Sequence, residues 1–367
     1  MYTVTDLAPS AVTGISDAWG INAGGSVVGQ MDTAIGFVWT PNTPNDVNGT
    51  LLQLPTLMPP ATGLPSETTA LGINTAGDVV GSSETVDAGG TTVRRAFLFR
   101  GGVMTEFGTL VPDPSNPGAF LGNSEARGIN DAGQIVGKSD DTNSVEHGFF
   151  LDLSVSPAMR NLFSLVPPIM LPGPADPSVA NAIDNSGMVV GTAAAADAAG
   201  NIVDRAFSWT PAAFNLTDLG TLVPDPANPG KFLGESSGLA VNNAGVTVGD
   251  SETVPPSAGS IRMATSFGAS PVLMAGPNPG IGTGINDNPA GTEMVGWFQS
   301  GMGPSGPVTS GLYVSSAAGV VDLNSQLATP GWTIQKATGI NDKGQICGEG
   351  THATLGPGRA ILLTPTP

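Results

Sequence analysis

Basic residues are scarce in this chain. Of 367 residues only 12 are Lys or Arg, against 30 Asp or Glu, and the formal charge is −18. Such a surface cannot neutralise phosphates, which excludes nucleic acid and anionic membranes as partners and favours cations or basic groups. Cysteine occurs once, at Cys347, so there is no intramolecular disulfide framework. Cys347 stands where other copies of a repeat described below have Val136 or Val190, and it reads as a small buried apolar residue. Histidine occurs twice, at His147 and His352. A three-histidine metal site is therefore impossible, no protein metal site is assigned, and a Ser-His-Asp triad has only two candidate bases. HExxH, Walker, GxSxG and CxxC motifs do not occur. No run approaches the roughly 18 apolar residues of a membrane helix, so membrane insertion is not expected. Residues 1–10, MYTVTDLAPS, have neither a basic start nor an apolar stretch and do not read as a signal peptide. Either the protein is cytosolic or a leader has been removed; low Lys and scarce Cys beside abundant Thr, Ser, Gly and Asn favour the second, an extracellular or periplasmic protein.

Amphipathic helical periodicity is missing too. In its place are 52 Gly and 32 Pro, the composition of a chain with many turns. Residues 128–137 read GINDAGQIVG, and the chain says this seven times. The other copies are GINAGGSVVG from Gly20, GINTAGDVVG from Gly72, AIDNSGMVVG from Ala182, AVNNAGVTVG from Ala240, the expanded GINDNPAGTEMVG from Gly284, and GINDKGQICG from Gly339. An Asn or Asp that can bond its own backbone two residues on, with Gly three places later, suits a type I turn closed by a left-handed residue. Flanking residues such as Ile129, Ile135 and Val136 favour a pleated, buried surface. Each decapeptide is read as a β-hairpin, and its Asn-Asp pair as turn chemistry rather than metal ligation.

Copies start 44 to 58 residues apart, close to the period of propeller blades. Each period holds two more strand-like segments. The third strand is the run around Phe37, Phe97, Phe149 and Phe207, with fainter copies around Phe267, Leu312 and Ile361. The fourth is the run after it, such as residues 103–110. Four short strands per repeat with no helix predict an all-β, seven-bladed β-propeller of four-stranded blades in a single domain spanning 1–367. The blades fall roughly at 12–57, 64–110, 122–165, 177–222, 234–275, 279–324 and 331–363. The seventh repeat lacks a fourth strand, and residues 2–7 resemble one, as Thr5-Asp6-Leu7 matches Thr217-Asp218-Leu219. The N-terminal strand is therefore expected to complete the last blade and remove the exposed edge that an open array would present.

GINDAGQIVG, followed by Arg95-Ala96-Phe97, His147-Gly148-Phe149 or Arg205-Ala206-Phe207 and then Asp-Leu-Gly-Thr-Leu, resembles the HAF repeat family of bacterial extracellular repeat proteins. The full His-Ala-Phe never occurs here, which marks a divergent member. The resemblance implies secretion and a propeller. It implies no reaction.

Long loops on a rigid frame are where binding residues concentrate. Joints between blades and between second and third strands share one face and are the long ones, for example 111–123 and 223–235, so that face is assigned as functional. The candidate ligand-binding residues are Glu67, Glu125, Glu235, Arg127 and Lys336 near one end of the inner strands, and Trp332 on the joint into blade seven. Glu84 and Glu252 lie on the same face. The expected role is a binding or scaffold module, monomeric, taking a small molecule, a glycan or a protein. The alternative is a hydrolase or lyase working from acids at the channel mouth. No cofactor is assigned; Ca²⁺ held by carboxylates and carbonyls is the one such a mouth accommodates, and it would favour the enzyme.

Overall fold

The computed structural model describes all residues except 9–14, 33, 59–65, 88, 164, 166–176, 198–199, 214, 254–260, 269, 275–277, 304–305 and 367, and the side chains of 156–157. Most of two further long joints, 166–178 and 250–263, on the face assigned as functional thus lies outside the described residues. The chain is a ring of seven antiparallel four-stranded sheets, whose strands span 16–53, 68–106, 124–161, 178–218, 236–273, 280–322, and 332–365 with 2–6. Blade three shows the plan: an inner strand Ser124–Ile129, then Gln134–Asp140, Glu146–Asp152 and the outer Ser156–Asn161. Among the described residues no helix is long and apolar enough to cross a membrane.

The core lies between blades, because each sheet is apolar on both faces. Ala126, Ile135, Phe149 and Leu151 of blade three pack with Val80, Ala96 and Leu98 of blade two. Phe37, Phe97, Phe149 and Phe207, one per third strand, have no exposed surface. In blades one, three, four and five a serine at the head of the inner strand joins it to the blade before. Ser124 accepts from the Ala96 N–H at 3.0 Å and donates to the Gly108 carbonyl at 2.8 Å. Ser178 and Ser236 accept in the same way from Gly148 at 2.9 Å and Ala206 at 3.0 Å.

The ring closes as the repeat count requires. Tyr2–Asp6 pairs with Gly356–Pro365, from Tyr2 against Pro365 to Asp6 against Ile361. Ser16 of blade one accepts from Ala360 N–H of blade seven at 2.9 Å, the same joint as at Ser124, Ser178 and Ser236.

The first residue of each Arg-Ala-Phe or His-Gly-Phe triplet is buried: Arg95 1%, His147 3%, Arg205 1%, and Arg359 in blade seven 5% exposed. The three arginines act as clamps on the joint that follows. Arg95 donates to the Phe120 carbonyl at 2.8 Å. Arg205 donates to the carbonyls of Phe232 at 2.8 Å, Leu233 at 3.3 Å, and Gly234. Arg359 donates to Asp6 at 3.1 Å and to the Ala8 carbonyl at 3.3 Å. Burial pulls the guanidinium of Arg205 below its ordinary range, and Asp218, 3.8 Å away, opposes that. The two Pro-rich loops are thereby fixed on the frame. Each is also closed by a backbone bridge, Pro112 with Phe120 and Pro224 with Phe232.

Candidate functional site

Every inner strand carries a bulge at the same place. Its pairing to the second strand skips Trp19, Leu71, Arg127, Asn181, Leu239, Thr283 and Thr338, one residue per blade. The glycine that ends each repeat allows this approach. A Cβ on Gly137 would stand 1.9 Å from the Glu125 carbonyl oxygen, and one on Gly348 would stand 2.1 Å from that of Lys336. The bulge turns its residue toward the axis. Arg127, Asn181, Thr283 and Thr338 line a space of about 200 Å³ within the channel. They also bond across blades: Arg127 to Asn181 Oδ1 at 2.7 Å, Asn181 to the Gly238 carbonyl at 2.8 Å, Thr283 to that of Ala337 at 2.6 Å, and Thr338 to that of Ala18 at 2.7 Å.

Next along the axis comes the Ile of each GIN turn. Ile21, Ile73, Ile129, Ile183, Ile285 and Ile340 border both this space and a wider one of about 350 Å³ at the mouth formed by the turns. The turns obey their predicted chemistry. Asn130 Oδ1 accepts from the N–H of Ala132 at 3.1 Å and Gln134 at 2.9 Å, and Gly133 has φ of 78°. What the repeat does not announce is where the amide nitrogen goes. Asn22 donates it to the carbonyl of Asn74 at 2.9 Å, Asn74 to Asn130 at 3.3 Å, and Asn130 to Asp184 at 2.9 Å. Asn242 donates to Asn286 at 3.2 Å, Asn286 to Asn341 at 3.1 Å, and Asn341 back to Asn22 at 3.2 Å. The result is a circular amide chain around the axis, interrupted only at Asp184, which has no amide to donate.

A second, open arc of five links runs beside the first. The N–H of Thr75, Asp131, Asn185, Asn243 and Asp287 donates in turn to Oδ1 of Asp131, Asn185, Asn243, Asp287 and Asp342, at 2.7 to 2.9 Å. Asp131, Asp184, Asp287 and Asp342 all line the mouth, and among the described residues no Lys, Arg or His does. Burial raises the Asp287 carboxyl above the usual carboxylate range; the Asn243 N–H counters this, and the charges of Asp342 and Asp184 add to it. Among the described residues no three His, Cys, Asp or Glu converge closely enough to cage a metal.

On the long-loop side the candidate residues are brought near the inner strands but are engaged with neighbours. Arg94, a third-strand residue not among the candidates, pairs with Glu67 at 2.7 Å, and Arg262 does the same for Glu235 at 3.0 Å. Arg127 pairs with Glu125 at 2.8 Å, and Lys336 with Glu349 of the second strand at 2.7 Å. Glu84 accepts from the Glu67 N–H at 3.1 Å and Glu252 from the Glu235 N–H at 2.9 Å, so both fix strand entry. Trp332 packs against His352 with ring centres 4.8 Å apart. His147 and His352 sit in different blades, 3 and 7, and His147 lies 3.5 Å from Asp141. Cys347 is fully buried, which pushes its thiol up to about 11 and leaves it unreactive near neutrality. Arg94 and Arg262 carry a signal in the sequence: each lies on the third strand directly opposite an acid of the Ser-Glu-Thr copies, Glu84 or Glu252.

The Glu125–Arg127 pair is partly open to solvent, at 23% and 33% exposure. Glu125→Ala, Arg127→Ala and the double variant are each expected to shift stability by no more than about 1 kcal/mol. Equilibrium urea unfolding of all three checks this, and single variants far less stable than the double would instead show a tightly coupled structural pair.

A family described as "Protein of unknown function (DUF3466)" matches residues 33–202. No curated protein matches the chain. Among solved structures, the chain is similar over 90% of its length to a puromycin hydrolase variant complexed with PGG, at 12% identity and a TM-score of 0.50. It spans only 49% of that chain. It also aligns, at 11% identity and a TM-score of 0.34, with a putative oxidoreductase (glucose dehydrogenase) from Thermus thermophilus, over 80% of this chain and 96% of that one. At these identities the likeness to the first is one of fold alone, and that fold is the seven-bladed β-propeller.

Proposed function

We propose that this protein is an extracellular or periplasmic binding module of the HAF repeat type, which takes a cationic group into the mouth formed by its Asn-Asp turns. One observation carries the reading: four aspartates line a mouth of about 350 Å³, the exposed Asp131, Asp287 and Asp342 and the buried Asp184, with no basic side chain among the described residues around them. On the opposite face, by contrast, Glu67, Glu125 and Glu235 each already hold a cation of their own chain. Unneutralised carboxylates on a rigid, concave rim focus negative potential and attract cations or basic side chains. The amide chain and the arc beside it hold the rim in place before a ligand arrives, which lowers the ordering cost of binding.

Isothermal titration with Ca²⁺, Mg²⁺ and putrescine, with 1,4-butanediol as the neutral control, tests this. Binding of at least one cation and none of the diol is expected, weakening with added salt. Because the Asp287 carboxyl is raised, it keeps its proton to higher pH than an ordinary Asp. Affinity is therefore expected to rise as pH climbs through the acidic range and Asp287 ionises. An Asp287→Asn/Asp342→Asn variant is expected to bind more weakly and to lose most of this pH dependence. Binding unchanged in that variant, or no cation bound at all, would overturn the proposal.

A further inference from the structure

The interruption in the amide circle is a chemical anomaly with a definite location. Asp184 is 5% exposed. Its Oδ1 does what every Asn Oδ1 does at this place, accepting from the N–H of Ser186 at 2.9 Å and Met188 at 2.8 Å. Its Oδ2 therefore occupies the position that the other six turns give to an amide nitrogen, the one aimed at the next blade's carbonyl. That next carbonyl is Asn242, which accepts from Gly245 N–H at 2.8 Å but, among the described residues, from no neighbouring amide. Asp184 Oδ2 is buried and has no hydrogen-bond partner. An acceptor thus stands where the rest of the ring has a donor, and the Asn242 carbonyl lacks the cross-blade amide its counterparts receive, beside a mouth that also presents Asp287 and Asp342.

We propose that the joint between blades four and five seats a hard metal ion of the Ca²⁺ class, bound by Asp184 Oδ2 and the main-chain oxygen of Asn242 and completed by water from the mouth. This rests on the reading of the mouth as cation-binding and names the cation. An all-oxygen donor set selects hard ions over Zn²⁺ or Cu²⁺. Ca²⁺ approaches oxygen to about 2.3–2.6 Å and accepts carbonyls and water in irregular shells of six to eight, whereas Mg²⁺ demands a near-ideal octahedron. The ion would bridge the two oxygens and restore the one missing link between blades. Asp287, whose carboxyl feels the Asp184 charge, stands in the outer shell.

The test uses the whole chain, stripped with EDTA, and the metal alone as probe. Thermal unfolding is recorded against CaCl₂ and MgCl₂, with direct titration of Ca²⁺. Wild type is expected to gain stability with Ca²⁺ and less with Mg²⁺. Asp184→Asn supplies the missing N–H and matches the other six turns. It is expected to unfold, without metal, at or above the temperature of Ca²⁺-loaded wild type and to show no Ca²⁺ response. Asp184→Ala removes both the ligand and the amide; it is expected to be less stable than either and equally unresponsive. Asp287→Asn is expected to weaken Ca²⁺ binding by about 10- to 100-fold, the usual effect of losing an outer-shell partner. A Ca²⁺ response that survives Asp184→Asn, or wild type indifferent to Ca²⁺, overturns the inference. If putrescine still binds wild type in that case, only the metal assignment falls; if no cation binds, the reading of the mouth falls with it.

Discussion

Deleting residues 1–7 is expected to cost the protein most of its stability, leaving a chain that melts far lower and self-associates. The segment is small but closes the ring in three ways. Its strand covers the outer edge of blade seven from Tyr2 to Asp6. Asp6 pairs with the buried Arg359, and breaking a buried pair from one side costs about 3–5 kcal/mol. Leu7 is 1% exposed within the core shared by blades one and seven, and burying such a side chain contributes about 1.5–3 kcal/mol. Against the roughly 5–15 kcal/mol of a typical fold, that loss is decisive. The uncovered edge of Gly356–Pro365 would then offer a row of free N–H and C=O groups to another copy. Calorimetry and size-exclusion chromatography with light scattering check both effects. An unchanged melting temperature with a monodisperse monomer would mean that the N-terminal strand is not what closes the ring. A synthetic peptide of residues 1–7, added in excess, is expected to restore part of the lost stability.

Arg205→Met should be nearly as damaging, and more so than Arg95→Met. Arg205 satisfies the carbonyls of Phe232, Leu233 and Gly234, whereas Arg95 holds that of Phe120. A hydrogen bond to a charged group contributes about 1.5–3 kcal/mol, and a buried acceptor left without its donor adds its own desolvation penalty. A loss of about 3–5 kcal/mol is expected for Arg205→Met and about half of that for Arg95→Met, measured by urea unfolding. The damage should be local as well. Exposed Lys231 lies in the joint that Arg205 clamps, so limited trypsin digestion is expected to cut after Lys231 much faster in Arg205→Met than in wild type. Equal cleavage rates would show that the loop is held by its own prolines and by Phe232 packed on Gly220, not by the arginine.

The arginines show how far a sequence carries this kind of argument. Their triplets are visible as a repeat feature, and a chain with only 12 basic residues that spends three at one register is signalling a shared task. That the task is to clamp a loop from within the core depends on burial, which no spacing reveals. The same holds for the candidate site. Glu67, Glu125 and Glu235 do gather near the inner strands as their repeat position requires. Their partners Arg94, Arg127 and Arg262 come from two different strand positions, the third and the inner, and only the folded blade decides which cation answers which acid.

The chain alone determined the architecture, because seven copies of one hairpin with alternating apolar strands have a single way to bury both faces of every sheet: each packs against the next until the ring closes. It likewise determined the turn chemistry, which is local and needs nothing beyond Asn130 through Gly133 and their counterparts. Tertiary structure decided what that chemistry faces. A turn read singly shows Asn Oδ1 satisfied within its own backbone and leaves Nδ2 unassigned. Seven such turns at one end of a ring send the Nδ2 of six of them to the neighbouring blade, bring four aspartates from four repeats around one opening, and turn the Asn-to-Asp change at Asp184 from a permitted variation into a buried oxygen without a donor. Those relations join residues more than forty positions apart, and they exist only once the ring has closed.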